Sequence, residues 1–211
     1  MARWSPLERQ ARDEFGPLLA GVDEVGRGPL AGPVVACAIV MPPGKRAIAG
    51  VNDSKQLTAA TRERLAIRIR EDALVVALGA ASVREVDRIN IYHATVLAMR
   101  RALGRIPAEL GQAPDHILVD GKPLRTLGHV HTAVVKGDSK CYAIACASIV
   151  AKVTRDRLMH QLAQRYPGYG WERNAGYGTA QHMQALAERG LTSHHRRSFC
   201  LDEQVVLDVL R

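Results

Sequence analysis

The stretch LLAGVDEVGRGPLAGPVVACAIV, residues 18–40, constrains the fold of this chain more than any other segment. It is apolar except for the adjacent acids Asp23 and Glu24, which precede a glycine-rich turn that contains Arg27. A carboxylate that leaves water without a partner costs several kcal/mol, so apolar strands normally exclude such groups. The two acids therefore predict a place in the fold where something compensates their charge.

The glycine-rich turn does not fit the common nucleotide-binding loops. Its spacing is G-x-G-x-x-x-G, Pro29 removes a backbone donor, the next segment resembles a strand, and no G-K-[ST] follows. What remains is a tight turn whose backbone can approach a ligand closely, with a plain hairpin turn as an equal alternative. Because neighbouring strand residues point to opposite faces, Asp23 and Glu24 share a site only if the strand bends or ends there.

The remaining pattern predicts an α/β protein with a mixed sheet flanked by helices, since strands come early and helices interleave late. Further strands are expected in ALVVALGAAS, HILVDG and HVHTAVV. Amphipathic spacing predicts helices in LTAATRERLAIRIRE with Thr58 as the N-cap, in SVREVDRINIYHATVLAMRRAL, in SKCYAIACASIVAKVTRDRLMHQLAQRY and in TAQHMQALAERG. In the second of these helices one face would carry Val86, Ile89, His93, Val96 and Leu97.

Two more acids follow predicted strands. Asp120 ends HILVDG, and Asp138 follows HTAVVKG beside a glycine. Taken singly, Asp120 can be a turn residue and Asp138 a helix cap. Together, three strand ends deliver four carboxylates, the arrangement that holds two divalent cations about 4 Å apart for phosphoryl transfer. Such cations would neutralise Asp23 and Glu24.

Composition is that of an ordinary globular protein with 47% hydrophobic residues. No apolar run reaches the roughly 20 residues of a membrane span, and the N-terminus lacks a secretory h-region, so we expect a cytoplasmic protein.

We expect one domain over residues 1–211, with a helical C-terminal extension from about residue 160, and a monomer. The four cysteines form no C-x-x-C pair and are expected to fill the core. A net charge of +8 favours phosphate-rich partners but leaves an anionic membrane or plain solubility open.

Several ordered motifs resemble those of bacterial ribonuclease HII. They are GVDEVGRGPLAGPVV, NDSKQLT, NIYHATVLAMRRA, ILVDGKPL, VVKGDSK, ASIVAKVTRDRLM, AGYGTAQH and HHRRSF, and together they span residues 20–199. The resemblance implies a ribonuclease H-like mixed sheet flanked by helices, with a mainly helical C-terminal part. It also implies an endoribonuclease that cuts on the 5′ side of a ribonucleotide in RNA/DNA hybrids and at single ribonucleotides in duplex DNA.

The resemblance further implies two Mg²⁺ or Mn²⁺ ions, products with 5′-phosphate and 3′-hydroxyl ends, and roles in ribonucleotide removal and RNA primer degradation. The metal-binding and catalytic acids would be Asp23, Glu24, Asp120 and Asp138. The turn of Gly26, Arg27 and Gly28 would contact the 2′-hydroxyl, and Tyr177 would pack against the sugar. The expected phosphate contacts are Asn52, Ser54, Lys55, Ser148 and Lys152. For Ser148 a packing role is an equal alternative, and for Lys55 a solvated position is the alternative.

The chain departs from the family pattern in two places. Ala175 replaces a basic residue that often precedes the glycine of GYGT, and GLTSHHRRSF lacks a proline that is frequent before its basic pair. The run His194–Arg197 is expected either to touch the nucleic acid backbone, which we favour slightly, or to be a solvated basic run. Two rival functions stay open: a two-metal DNA nuclease or resolvase on the same fold, and a non-catalytic nucleic-acid-binding module.

Overall fold

A mixed five-stranded sheet forms the centre of the computed structural model, which describes residues 3–200. Its strands, in the spatial order β3-β2-β1-β4-β5, are β1 (Leu19–Val25), β2 (Val34–Val40), β3 (Val75–Ala81), β4 (His116–Asp120) and β5 (Thr132–Val134). The first three strands are antiparallel neighbours, whereas β4 runs parallel to β1 and β5 parallel to β4. With helices on both faces, this sheet confirms the predicted fold class.

The helices of the described residues are α1 (Pro6–Phe15), α2 (Ala59–Asp72), α3 (Val83–Leu103), α4 (Ile106–Leu110), α5 (Gly137–Lys140), α6 (Tyr142–Arg165), α7 (Trp171–Asn174), α8 (Ala180–Arg189) and α9 (Arg197–Cys200). Thr58 caps α2 as predicted, because its side chain accepts the Thr61 N–H, and Gly190 follows the end of α8. None of the helices within residues 3–200 is long and apolar enough to cross a bilayer.

Both faces of the central strands are buried. Alternate residues of β2 divide between two cores: Ala36 and Ala38 pack with α3, and Cys37 and Ile39 pack with α2 and α6. This explains why β2 is apolar at every position rather than at every second one. All four cysteines are free and buried, as their apolar surroundings predicted.

The predicted helix over residues 82–103 is not continuous. Asn90 has a φ of 63° and a ψ of 169°, and its side chain accepts the His93 N–H, so the helix kinks there. The kink changes the buried face: His93 is exposed, and Ala94, Ala98 and Met99 lie in the core instead. The predicted face is wrong only for His93, since Val86 and Val96 are buried in the core and Ile89 and Leu97 pack against it.

A second predicted helix, over residues 139–166, is also divided. Cys141 has extended backbone angles, which separate the short α5 from the long α6. The interruption sets Asp138 on a separate turn directly after β5, and it leaves the N-terminus of α6 to be capped from elsewhere.

That cap comes from α1, a helix that the sequence motifs did not predict. Ser5 and Glu8 form a capping box at the start of α1. The fully buried Glu8 carboxylate also accepts the N–H groups of Tyr142 at 3.0 Å and Ala143 at 2.8 Å. A negative charge at this position is favourable because the N-terminus of α6 carries a partial positive charge.

The helical extension expected from about residue 160, within the single predicted domain, would begin inside α6. Helix α6 packs on β1 and β2 and continues without interruption to Arg165, where it contacts α7. The end of α6 shares one apolar cluster with α7 and α8. We therefore propose that these helices form one folding unit with the sheet; residues 201–211 of the predicted extension lie outside the described residues.

The close contact between β1 and α6 is open to a direct test by substitution. A Cβ on Gly21 would lie 2.3 Å from the carbonyl carbon of Ala143, whereas a Cβ on Gly44 would meet no heavy atom within 4 Å. We expect Gly21→Ala to lower the free energy of unfolding by about 1–3 kcal/mol or more. Gly44→Ala should change it by less than about 0.5 kcal/mol. Urea unfolding of both variants measures the difference, and equal stabilities would contradict the close packing of β1 on α6.

Candidate active site

The four predicted acids lie where neighbouring strands end. Strand β1 pairs with β4 only as far as Val22 and Val119, yet it pairs with β2 through Val25. One residue further along this register, Asp23 is level with Asp120, the last residue of β4, and only Glu24 extends beyond the end of β4. Strand β1 does not bend at the two acids, and the chain turns away only at Gly26. Both carboxylates interact electrostatically with Asp120.

Asp23 is the most enclosed of the four acids, with 6% of its surface exposed. Its Oδ1 accepts the Glu24 N–H at 2.8 Å. Burial raises the pKa of Asp23 well above its usual range, and the charges of Glu24 and Asp120 add to the effect. The buried Ser148 hydroxyl, which lies 3.0 Å from Ser54 Oγ, acts in the opposite direction. Asp23 is thus a carboxylate whose charge is poorly compensated.

Glu24 has a nearby cation. Burial raises its pKa, the Arg27 guanidinium at 3.4 Å lowers it, and the Asp120 charge raises it again. Arg27 itself is half exposed. The Glu24–Arg27 pair links the acids directly to the glycine turn that follows them in sequence.

Asp120 and Asp138 are held by the connection between β5 and α6. Asp120 Oδ1 accepts the Gly137 N–H at 2.6 Å. Burial raises the pKa of Asp138, as do the charges of Asp120 and Asp53, whereas Lys55 lowers it. Lys55 Nζ lies 3.8 Å from Asp138 Oδ2 on a side chain that is 82% exposed. Although it pairs with Asp138, this exposed ammonium is accessible to an incoming anion.

The donor set fits a hard divalent cation. Carboxylate oxygens are the ligands that Mg²⁺ and Mn²⁺ prefer. The mutual repulsion that raises the pKa of Asp23 is what a bound cation would relieve. Within residues 3–200, however, no three His, Cys, Asp or Glu side chains are grouped closely enough to hold a metal ion as they stand. Binding would therefore draw the carboxylates towards one another.

The glycine turn beside the acids is fixed by two buried arginines that the sequence motifs did not single out for this role. Arg155 donates to the carbonyls of Pro33 at 3.0 Å, Ala31 at 3.0 Å and Ala175 at 2.9 Å. Gly26, with a φ of +88°, has no room for a side chain, since its Cβ would lie 2.1 Å from Arg155 Nε. Arg155 therefore ties the Gly26–Pro33 segment to the loop before Tyr177.

Arg196 holds the same segment from the other side. It donates to the carbonyls of Arg27 at 2.8 Å and Gly32 at 3.0 Å, and also to that of Gly26. Arg196 and His195 are fully enclosed, with 0% and 1% of their surfaces exposed. The expectation that the His194–Arg197 run touches nucleic acid is therefore wrong for these two residues, and so is the solvated alternative. Their polar atoms are already engaged inside the protein.

Tyr177 lies next to the glycine turn. Its ring is 3.5 Å from the position of a Cβ on Gly28, and the residue is 48% exposed. The preceding Gly176 carbonyl accepts the Leu30 N–H at 2.8 Å. One face of the Tyr177 ring is therefore available to a ligand that reaches Gly28.

A chain of hydrogen bonds through the imidazoles of His195 and His182 ends at the Tyr177 carbonyl. The Thr192 N–H donates to His195 Nδ1 at 2.9 Å, which requires the His195 proton to be on Nε2. His195 Nε2 lies 3.0 Å from His182 Nε2, which also accepts from Trp171 Nε1 at 3.1 Å. His182 Nδ1 then donates to the Tyr177 carbonyl at 2.9 Å. The chain is complete only while both histidines are neutral.

The other predicted substrate contacts differ in their surroundings. Ser54 and Ser148 are buried against each other beside Asp23, and not on the open surface. Lys152 pairs with Asp156 at 2.6 Å, and Asn52 donates to Gln56 Oε1 at 3.0 Å. Of these five predicted contacts, Lys55 is the most exposed cation beside the acids.

The imidazole chain predicts a pH-dependent contribution to stability. Burial and the neighbouring His182 and His194 lower the pKa of His195 to about 4, against about 6.5 in an unfolded chain. The unfolded state therefore binds more protons between these values, and this contribution is lost as the pH falls from 6.5 to 4. We expect the stability advantage of the protein over its His195→Gln variant to shrink by roughly 3 kcal/mol between pH 7.5 and pH 4.

Urea unfolding of the parent and the variant at each pH measures the difference between their free energies of unfolding. The buried acids contribute a pH dependence of the opposite sign to both proteins, so their contribution cancels in this difference. His160 is exposed, so His160→Gln serves as the matched control and should show a constant difference. A constant difference for His195→Gln as well would mean that His195 is not buried in its neutral form.

Comparisons with known proteins agree with this geometry. The family model described as ribonuclease HII matches residues 20–202. Ribonuclease HII of Thermosynechococcus vestitus is 55% identical over 183 residues, which cover 86% of this chain and 83% of that protein. The crystal structure of ribonuclease H2 from Pyrococcus horikoshii OT3 has a TM-score of 0.75 at 27% identity, covering 92% of this chain and 99% of that one.

A structure of Bst-RNase HIII in complex with Mn²⁺ shares the fold, with a TM-score of 0.74 at 23% identity over 94% of this chain and 72% of that one. The family to which these relatives belong consists of nucleases that hydrolyse nucleic acid and need a divalent metal ion. From the match of its sequence and its fold, this chain belongs to the ribonuclease HII family.

Proposed function

We propose that this chain hydrolyses the phosphodiester on the 5′ side of a ribonucleotide, both in RNA/DNA hybrids and at single ribonucleotides in duplex DNA. The products would carry 5′-phosphate and 3′-hydroxyl ends, and the roles would be ribonucleotide removal and RNA primer degradation. The observation that carries the proposal is that Asp120 acts electrostatically on Asp23, Glu24 and Asp138, while the Gly26–Gly28 turn that follows Glu24 lies beside the Tyr177 ring. Cleavage and recognition of a ribonucleotide would thus share one surface.

Asp23, Glu24, Asp120 and Asp138 are the proposed ligands of two Mg²⁺ or Mn²⁺ ions. When bound, such ions supply positive charge that activates water and stabilises the leaving oxygen. The protein fixes the ligands unequally. Asp23 is buried and Asp120 is oriented by the Gly137 N–H, whereas Glu24 and Asp138 have the exposed partners Arg27 and Lys55. Asp23 and Asp120 would thus bind the ions with side chains that are already fixed, whereas Glu24 and Asp138 would move from their present partners to bind them.

The Gly26-Arg27-Gly28 turn is the proposed reader of the 2′-hydroxyl, which alone separates RNA from DNA at a given nucleotide. A reader of one hydroxyl must allow close approach and must not move. Glycine allows the approach, and the carbonyl bonds of Arg196 at Gly26 and Arg27 restrain the movement. Tyr177 would lie against the sugar, since its ring is next to Gly28.

Lys55 is the best supported of the proposed phosphate contacts, because its exposed ammonium lies beside Asp138. Asn52 and Lys152 would have to exchange their present partners Gln56 and Asp156 for a phosphate. Ser54 and Ser148 are buried, so we propose that they orient Asp23, and a phosphate contact from them would require an opening of the site.

A labelled duplex tests the proposed reaction. With Mg²⁺ or Mn²⁺, we expect a single cut 5′ of one embedded ribonucleotide, no cut in the all-DNA duplex of the same sequence, and no cut by the Asp120→Asn variant. The Asp120→Asn variant should still bind the duplex, because the substitution removes the charge of a proposed metal ligand but keeps the shape of the side chain. Equal cutting of both duplexes would favour the rival DNA nuclease, and binding without any cutting would favour the binding module.

Asp23→Asn should separate activity from stability. Asparagine can still accept the Glu24 N–H but removes a buried charge whose pKa is raised by burial and by two neighbouring acids. Without metal, we expect the variant to have a higher free energy of unfolding at pH 7 than the parent, while cleavage falls at least 100-fold. Mn²⁺ should raise the melting temperature of the parent but hardly that of the variant.

Asp13 is an exposed acid on α1, so Asp13→Asn provides the control and should leave both cleavage and stability close to those of the parent. If Asp23→Asn destabilises the metal-free protein, then the charge of Asp23 is compensated inside the protein, and a metal-binding role loses its electrostatic support.

A further inference from the structure

A second basic feature lies outside the candidate active site. It is a groove of about 660 Å³ between the N-terminal segment, α1 and the loop that follows β2. We call it the N-terminal groove; its lining residues are Arg3, Trp4, Arg9, Arg12, Gly44, Lys45, Arg46, Ala47 and Ala49.

The groove and the catalytic acids lie towards opposite ends of the sheet. Strand β2 ends at Val40, which pairs with Ala20 near the start of β1, and the loop that lines the groove continues from there. Asp23 and Glu24 lie near the other end of β1. A ligand in the groove is therefore not the nucleotide that contacts the acids.

The charge in the groove is of one sign. Five of its lining residues are Lys or Arg, and none is an acid. Lys45 forms an ion pair with Asp72 at 3.5 Å, whereas Arg3, Arg9, Arg12 and Arg46 have no carboxylate within 4 Å among residues 3–200. The Glu8 charge acts on Arg12 and Asp72 on Lys45, but the groove lining as a whole keeps an excess of positive charge that attracts anions.

Arg12 gives a second, independent indication that the groove takes an anion. Its guanidinium lies 3.5 Å from the centroid of the Trp4 ring, and its Nη1 donates to the Pro43 carbonyl at 3.1 Å. Its Nε and Nη2 atoms are shielded from solvent and have no hydrogen-bond acceptor in the described part of the chain. Because these two atoms are shielded, an anion in the groove would act on Arg12 through its charge, without a hydrogen bond to Nε or Nη2.

We infer that the N-terminal groove is a second nucleic acid contact, which binds the phosphates of a polynucleotide segment away from the cleavage site. A nuclease of this family already acts on a polyanion, and a row of separate cations suits successive phosphates better than one small ion. The groove contacts no base in this scheme, so it would hold DNA and RNA without regard to sequence.

A membrane surface is a poorer fit for the same charge. Interfacial binding needs an exposed apolar anchor beside the basic residues. Trp4, the aromatic residue of the groove, has Arg12 over its ring, Tyr142 at its edge and its indole N–H bonded to the Lys45 carbonyl. Its ring is therefore occupied by the protein itself.

The test is the salt dependence of duplex binding, measured without divalent ions on an all-DNA duplex of about 40 base pairs, which is long enough to offer many phosphates. The variant is Arg3→Gln/Arg46→Gln, which removes two exposed groove cations that make no side-chain hydrogen bond to the described residues. We expect the slope of log K against log salt to become shallower by about 2 and the affinity in about 0.1 M salt to fall roughly tenfold or more. Because neither metal nor a ribonucleotide is present, the result does not depend on the proposed cleavage reaction.

The matched control is Arg64→Gln/Arg105→Gln, which changes the net charge equally at two exposed arginines outside the groove. It should alter the slope much less. An unchanged slope for the groove variant, or an equal change for the control, would overturn the inference. Vesicles with phosphatidylserine form a further arm: loss of vesicle binding with unchanged DNA binding would assign the groove to a membrane instead. Unchanged melting temperatures exclude unfolding as the cause.

Discussion

Two guanidinium groups without acidic partners in the described chain hold the candidate site together. Arg155 and Arg196 are both fully buried, and both donate hydrogen bonds to backbone carbonyls of the Gly26–Pro33 segment and its neighbours. Burial of a charge is unfavourable unless it is hydrogen-bonded, so these bonds must all form together. A segment whose carbonyls accept hydrogen bonds from two buried cations cannot shift without breaking those bonds. This restraint is what the proposed recognition of one hydroxyl by a glycine-rich turn requires.

The acids that precede the turn, by contrast, are negative charges for which the fold supplies little compensation. Burial and the charges of Glu24 and Asp120 raise the pKa of Asp23, and the nearby cations Arg27 and Lys55 pair with Glu24 and Asp138 instead. The fold tolerates this cost because Asp23 is fixed by β1 and its pairing with the fully buried β2. The apolar sheet and the arginine–carbonyl contacts thus stabilise the fold. At the strand ends the acids repel one another, and a bound cation would reduce that repulsion.

Much of this could be predicted from the sequence, and the failures have identifiable causes. Alternating and continuous apolar runs located the strands, and strand-end acids located the proposed ligands, because both depend on local pattern. The buried roles of Arg155 and Arg196 could not be predicted, since a basic residue reveals its burial only when distant carbonyls converge on it. The kink at Asn90 was missed because one side-chain contact overrides an otherwise regular period. The Ser5-x-x-Glu8 capping box, by contrast, was visible in the sequence and would have revealed α1.

Helix α1 connects the two proposed nucleic acid contacts through a short chain of ordered groups. Arg9 and Arg12 face the N-terminal groove, while Glu8 on the same helix caps the N-terminus of α6. Further along α6, Ser148 lies beside Asp23. The groove is therefore attached to the acids through buried hydrogen bonds and one helix, without an intervening flexible linker. A duplex held at both places would be constrained in distance as well as in orientation, which would favour substrates long enough to span them.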